Sequence, residues 1–151
     1  MITIEPPSSP LDLSSINKQG LSRFLKRARA AVGLQGAVDV ILTSDAELKR
    51  LNRTFRGKNK ATDILSFPAS AESDGVAGDL AVSLETAARQ AAAHGHSLGD
   101  ELRILLLHGL LHLDGEDHES DTGEMAEREA TLRLRFKLPH SLIARANKAS
   151  R

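Results

Sequence analysis

Three histidines, His108, His112 and His118, fall within the eleven residues HGLLHLDGEDH. On a helix, the four-residue step from His108 to His112 puts both imidazoles on one face, about one turn apart. Gly115 then supplies a flexible joint where the helix has to stop. Beyond it, His118 can fold back over the first pair and complete three nitrogen donors around one metal ion. The fourth tetrahedral corner stays open, which is where a reactive water binds in a catalytic site. The chemistry this pattern suits is metal-assisted hydrolysis.

The surroundings favour the metal over core histidines. From Leu102 to Leu113 the chain is almost all Leu and Ile, so the helix should be buried nearly all round. Imidazoles without partners would be costly there, and a metal provides the partner. A structural site normally closes with four protein ligands and often uses cysteine, which this chain lacks. Histidine spacing alone suits zinc, nickel, cobalt or copper.

The 151 residues fit one domain, 1–151, which should bury roughly two thirds of its unfolded surface without disulfides. The opening MITIEPPSSP lacks a basic and an apolar leader region, and no apolar run approaches the ~20 residues of a membrane span. A cytoplasmic protein is the expectation. Twenty basic and twenty acidic residues cancel, so the molecule as a whole is no nucleic-acid magnet, but their distribution is uneven. Lys49, Arg50, Arg53, Arg56, Lys58 and Lys60 form an acid-free basic segment, while eight acids crowd Asp114 to Glu129. A basic segment beside a metal cleft attracts a polyanion such as RNA. Phe24, Phe55, Phe67 and Phe136 read as core residues, and Trp and Tyr are absent, which argues against an aromatic row for single strands.

Periodicity predicts a mixed α and β domain that positions these residues. Strands are expected at Ile2–Ile4, Val38–Thr43, Ile64–Phe67 (stopped by Pro68) and Leu80–Val82, with a small-residue loop, PASAESDGVA, between the last two. Leu21, Phe24, Leu25, Ala28 and Val32 mark a helix stopped by Gly33. Ser44 with Glu47 caps a second, whose Leu48, Leu51 and Phe55 face inward. Helices follow over Leu84–His94 and over Leu98–Leu113, the latter capped by Ser97. Met125, Leu132 and Phe136 stripe a last one, and the basic tail Arg145–Arg151 is expected to be disordered. The fold class is α+β: a small mixed sheet of about four strands against helices, with the metal site at the end of a buried helix.

Two resemblances meet at the histidines. Read as HxxxHxxGxxH, the segment is similar to the zinc signature of metzincin proteases, in which a glutamate follows the first histidine and takes the water's proton. Gly109 stands there instead, and Met125 falls in a helix rather than a methionine turn. HGLLHLDGEDH resembles more closely the HGxLHLxGxDH signature of the YbeY family of bacterial endoribonucleases. LNRTFRGKNKATDILSFP (Leu51–Pro68) and GDLAVS (Gly78–Ser83) resemble that family's arginine-bearing turn and next strand, in the same order and spacing. Two departures are Glu116, where an aromatic residue is common, and Ala61, where a proline is common.

The resemblance implies zinc, one ion per chain, on His108, His112 and His118, with Arg56 and His108 as catalytic residues. Arg56 is expected just past the Ser44-capped helix, in the turn before a strand. It would pair with non-bridging phosphate oxygens. The general base stays open between Asp117 and Glu116, with Asp117 favoured as an acceptor orienting an imidazole. Asp63 and Asp79 rank low as catalysts. The implied activity is single-strand-specific endoribonuclease action in 3′-end maturation of 16S ribosomal RNA and in ribosome quality control. Its partners would be precursor ribosomal RNA and the small subunit or its assembly proteins. Two alternatives are an assembly factor that binds with little cleavage and a metallohydrolase of another substrate class.

Overall fold

The computed structural model describes residues 1–8, 10–59, 62–70, 75–115 and 122–139. Along them run β1 (Ile2–Ile4), α1 (Lys18–Val32), β2 (Ala37–Thr43), α2 (Asp45–Arg56), β3 (Ile64–Pro68), β4 (Val76–Ser83), α3 (Leu84–His94), α4 (Leu98–Leu113) and α5 (Glu124–Arg135). The expected α+β architecture forms. The sheet has the order β1-β2-β4-β3, with β1, β2 and β4 parallel and β3 antiparallel at the edge. Arg145–Arg151 and Lys60 lie outside the described residues.

Alternation along the strands gives the sheet two apolar faces. Val38, Val40, Leu42, Ile64, Leu80 and Val82 turn toward α1, α3 and α4 and build the main core. Leu65, Ala81, Ile41 and Phe67 turn the other way, where α2 covers them with Leu48 and Leu51. α4 is the centre of the molecule: thirteen of its sixteen residues are buried. Its leucines at 102, 105, 106, 107, 110 and 111 are at most 1% exposed. Each contributes roughly 1.5–3 kcal/mol relative to an exposed side chain. Ser97 caps the helix by accepting from the Asp100 amide at 3.1 Å, as its position predicts.

Three expectations are corrected. β4 starts at Val76, not Leu80, so the end of the small-residue loop is paired strand. Gly78 and Asp79 look like turn residues, yet they face Pro68 and Phe67 in register. Arg56 is the last residue of α2 rather than a turn residue, because the chain leaves the helix only at Gly57, in a left-handed conformation. Phe55 is not core: it is 66% exposed, touching Phe67 edge to face at 5.6 Å. No helix lies over the β1–β2 half of that sheet face among the described residues, so the ring's far side meets solvent. Phe24 is buried as expected, and Phe67 and Phe136 are half-buried.

A polar knot fixes α2 to the β4–α3 junction. The Asp45 carboxylate accepts from Ser83 Oγ at 2.5 Å, Thr86 Oγ1 at 2.6 Å and Arg89 at 2.9 Å, while its own amide donates to Glu85. Burial pushes the Asp45 carboxyl up. The hydrogen bonds from Ser83, Thr86 and Arg89 and the charge of Arg89 outweigh it and hold the group below its ordinary value. A depressed folded-state pKa adds stability above the unfolded value that is lost as pH falls through the folded one. Asp45→Ala should therefore cost about 1–3 kcal/mol at pH 7. Denaturant unfolding should show the gap narrowing as pH drops below the ordinary carboxylate range; a gap that widens in acid would refute this account.

Candidate metal centre

His108 and His112 lie one turn apart on α4, and their Nε2 atoms converge to 3.1 Å with the rings at 73°. Two imidazole nitrogens on a tetrahedral zinc at 2.0–2.1 Å stand about 3.3 Å apart, so the pair is already close to a ligand spacing. On its other side, His108 Nδ1 meets Glu129 Oε2 of α5 at 2.7 Å. Glu129 is 1% exposed. With the carboxylate ionised it can only accept, so the imidazole would donate through Nδ1–H and its Nε2 would keep the lone pair that a metal requires. The donor set thus fits the metal that the spacing implies. Among the described residues no third donor joins the pair. His118, Glu116 and Asp117 lie outside them.

The protein holds this end of α4 in place by close contact with the sheet. At Gly109 a Cβ would fall 2.7 Å from Ile64 Cδ1 and 2.9 Å from Leu80 Cδ2, and the Gly109 carbonyl accepts from Ser66 Oγ at 3.4 Å. The residue that breaks the metzincin pattern is therefore the one that lets helix and strand touch. Its position faces the sheet, while His108 faces α5. Past the helix, Gly115 takes φ 88°, a left-handed turn that most side chains resist. Arg128 of α5 holds Asp114 at 2.8 Å beside this turn.

Arg56 stands at the same end of the sheet but on its other face. Its neighbour Phe55 packs on Phe67, whose partner in β4 is Asp79. The next β4 residue back, Gly78, lies under Leu113 at the end of α4. Edge strand β3 separates the two helix ends, and Arg56 is exposed. Of the low-ranked acids, Asp63 is held by Gln90 at 3.3 Å. Asp79 lines a hollow of about 700 Å³ with Asp39, Ile41, Leu51, Phe55 and Phe67, on the α2 face away from the histidines.

The sequence alone does not single out Glu129. It lies on the stripe of Met125 and Leu132, four residues after one and three before the other, and an acid on an apolar stripe was the available signal.

The Endoribonuclease YbeY family model matches residues 8–137. A Koribacter versatilis protein described as endoribonuclease YbeY is 55% identical over 139 residues, covering 92% of this chain and 90% of that one. A Solibacter usitatus protein of the same description is 45% identical over 132 residues, covering 87% and 88%. The solution structure of TM1509 from Thermotoga maritima superposes with a TM-score of 0.55 at 30% identity, over 85% of each chain.

The helix–strand contact makes a direct prediction. Gly109→Ala should cost about 1–3 kcal/mol of overpacking, offset by up to about 1 kcal/mol of helix propensity. Gly109→Glu, which restores the protease pattern, should cost more than Gly109→Ala in chemical denaturation. A Gly109→Glu variant as stable as the parent would show that this position does not face a closed contact.

Proposed function

This chain belongs to the endoribonuclease YbeY family, and from that premise we propose that it hydrolyses RNA phosphodiesters at a zinc centre on His108, His112 and His118. The observation that carries the metal part is the convergence of two imidazole Nε2 atoms, one of them oriented by a buried carboxylate. The family supports an RNA substrate and a role in ribosomal RNA processing. Cleavage of single-stranded regions at the 3′ end of 16S ribosomal RNA, ribosome quality control, contact with the small subunit and a cytoplasmic location extend that reading.

Zinc bound there would supply Lewis acidity, lowering the pKa of water to about 7 and polarising a phosphoryl oxygen. The chain's own residues do the rest. Glu129 would accept a hydrogen bond from His108 Nδ1–H and so fix the ring's tautomer and direction. α4 is clamped by Gly109 against β3 and β4, which keeps the two imidazoles at one spacing. Arg56, reaching round edge strand β3, would bind non-bridging phosphate oxygens through paired N–H donors and stabilise charge that develops as the bond breaks. His112 is half-buried, so it is not sealed into the core as His108 is.

Zinc-loaded protein is expected to cut RNA with single-stranded segments. Arg56→Ala should lower the rate by about 10²–10³ while retaining the metal, read by gel cleavage assay alongside metal analysis. Wild-type rates in Arg56→Ala would remove Arg56 from the chemistry. Turnover of peptides faster than RNA would instead support another hydrolase class.

A further inference from the structure

α1, KQGLSRFLKRARAAV, carries Lys18, Arg23, Lys26, Arg27 and Arg29 and no carboxylate. α5 runs antiparallel beside it: Arg128 near its start donates to the Val32 carbonyl at the end of α1. Phe136, just past its end, meets Phe24 of α1 edge to face at 5.3 Å. Two guanidinium groups converge on that Phe136 ring, Arg27 at 5.4 Å and Arg135 at 5.9 Å from its centroid. With Ala30 and Ala31 they border an open hollow of about 500 Å³. Both arginines are exposed, and neither is in an ion pair among the described residues.

The shared ring explains how two like charges can sit together, since its negative face attracts each cation. It does not neutralise them. Their N–H donors face solvent, and planar guanidinium groups match phosphate in pairs. Arg23, one turn before Arg27, continues the row along α1. The charge of α5 is graded as well, with Glu124 and Glu127 in its first turn and Arg133 and Arg135 in its last.

We propose that this α1–α5 face is a second RNA contact, with Arg27 and Arg135 gripping a backbone phosphate of the substrate away from the cleavage site. This rests on the endoribonuclease reading above. α5 joins the two places: Glu129 touches His108, and Phe136 follows seven residues later, about 10 Å along the helix axis. A strand engaged at the histidines would reach the arginines within a few nucleotides. The hollow's apolar border is small, which suits a nucleic-acid backbone better than a protein interface with an apolar centre.

The test compares zinc-loaded wild type, Arg27→Ala/Arg135→Ala and Arg27→Lys/Arg135→Lys on RNAs of about 25 and about four nucleotides. The alanine pair should raise KM about tenfold for the long RNA and less than about twofold for the short one. It should also flatten the dependence of log affinity on log salt by about 0.7, as expected for one lost phosphate contact on a single strand. The lysine pair, which keeps the charge but loses the paired donors, should keep the salt slope yet raise KM for the long RNA about threefold, and that split carries the test if the alanine pair does not fold. Unchanged KM and salt slope on the long RNA would overturn the inference, as would tighter binding of an acidic polyglutamate than of RNA of equal charge. If the wild type cuts neither RNA, the endoribonuclease reading fails, and the salt-dependent binding of the long RNA still decides whether this face holds it.

Discussion

A helix buried on nearly every side can keep polar side chains only where each has a partner, and α4 obeys that constraint along its length. Glu101, fully buried in its first turn, holds His96 at 2.6 Å; His108, seven residues on, holds Glu129 at 2.7 Å. An unpaired charge or imidazole in such a place would cost several kcal/mol. The surrounding elements are arranged to meet the requirement, with the α3–α4 turn delivering His96 and α5 delivering Glu129. The same burial that makes the histidines expensive also makes them rigid.

Rigidity matters because hydrolysis at a metal depends on ligand positions set before substrate arrives. That rigidity is set at Gly109. By having no side chain, it lets α4 lie directly on Ile64 and Leu80, so the imidazoles one residue before and three after are fixed relative to the sheet. The sheet in turn carries α2 on its other face, tied down through Asp45, and α2 presents Arg56 at the same end of the β3–β4 hairpin. A proposed ligand cluster and a proposed phosphate-binding cation thus approach a common end from opposite faces.

Much of this was legible in the sequence because it rests on local rules. The Leu and Ile run of α4, the Ser44 and Ser97 caps and the His108–His112 step each follow from helix periodicity and capping. What escaped depends on distant packing. Phe55 has the spacing of a core residue, but whether its outer side is covered depends on what lies over β1 and β2. Asp79 reads as a turn residue until its pairing with Phe67 is known. Glu129 reads as a surface acid until α5 is laid against α4. The convergence of Arg27 and Arg135 on one ring joins residues more than one hundred positions apart, which helix periodicity cannot foresee.

Anomalous diffraction from zinc-loaded crystals at the zinc edge shows whether the three histidines hold a metal. One peak is predicted, about 2.0–2.1 Å from the Nε2 atoms of His108 and His112 and from a ring nitrogen of His118. Absence of a peak there, or a peak bound by other residues, would show that these histidines do not form the metal centre.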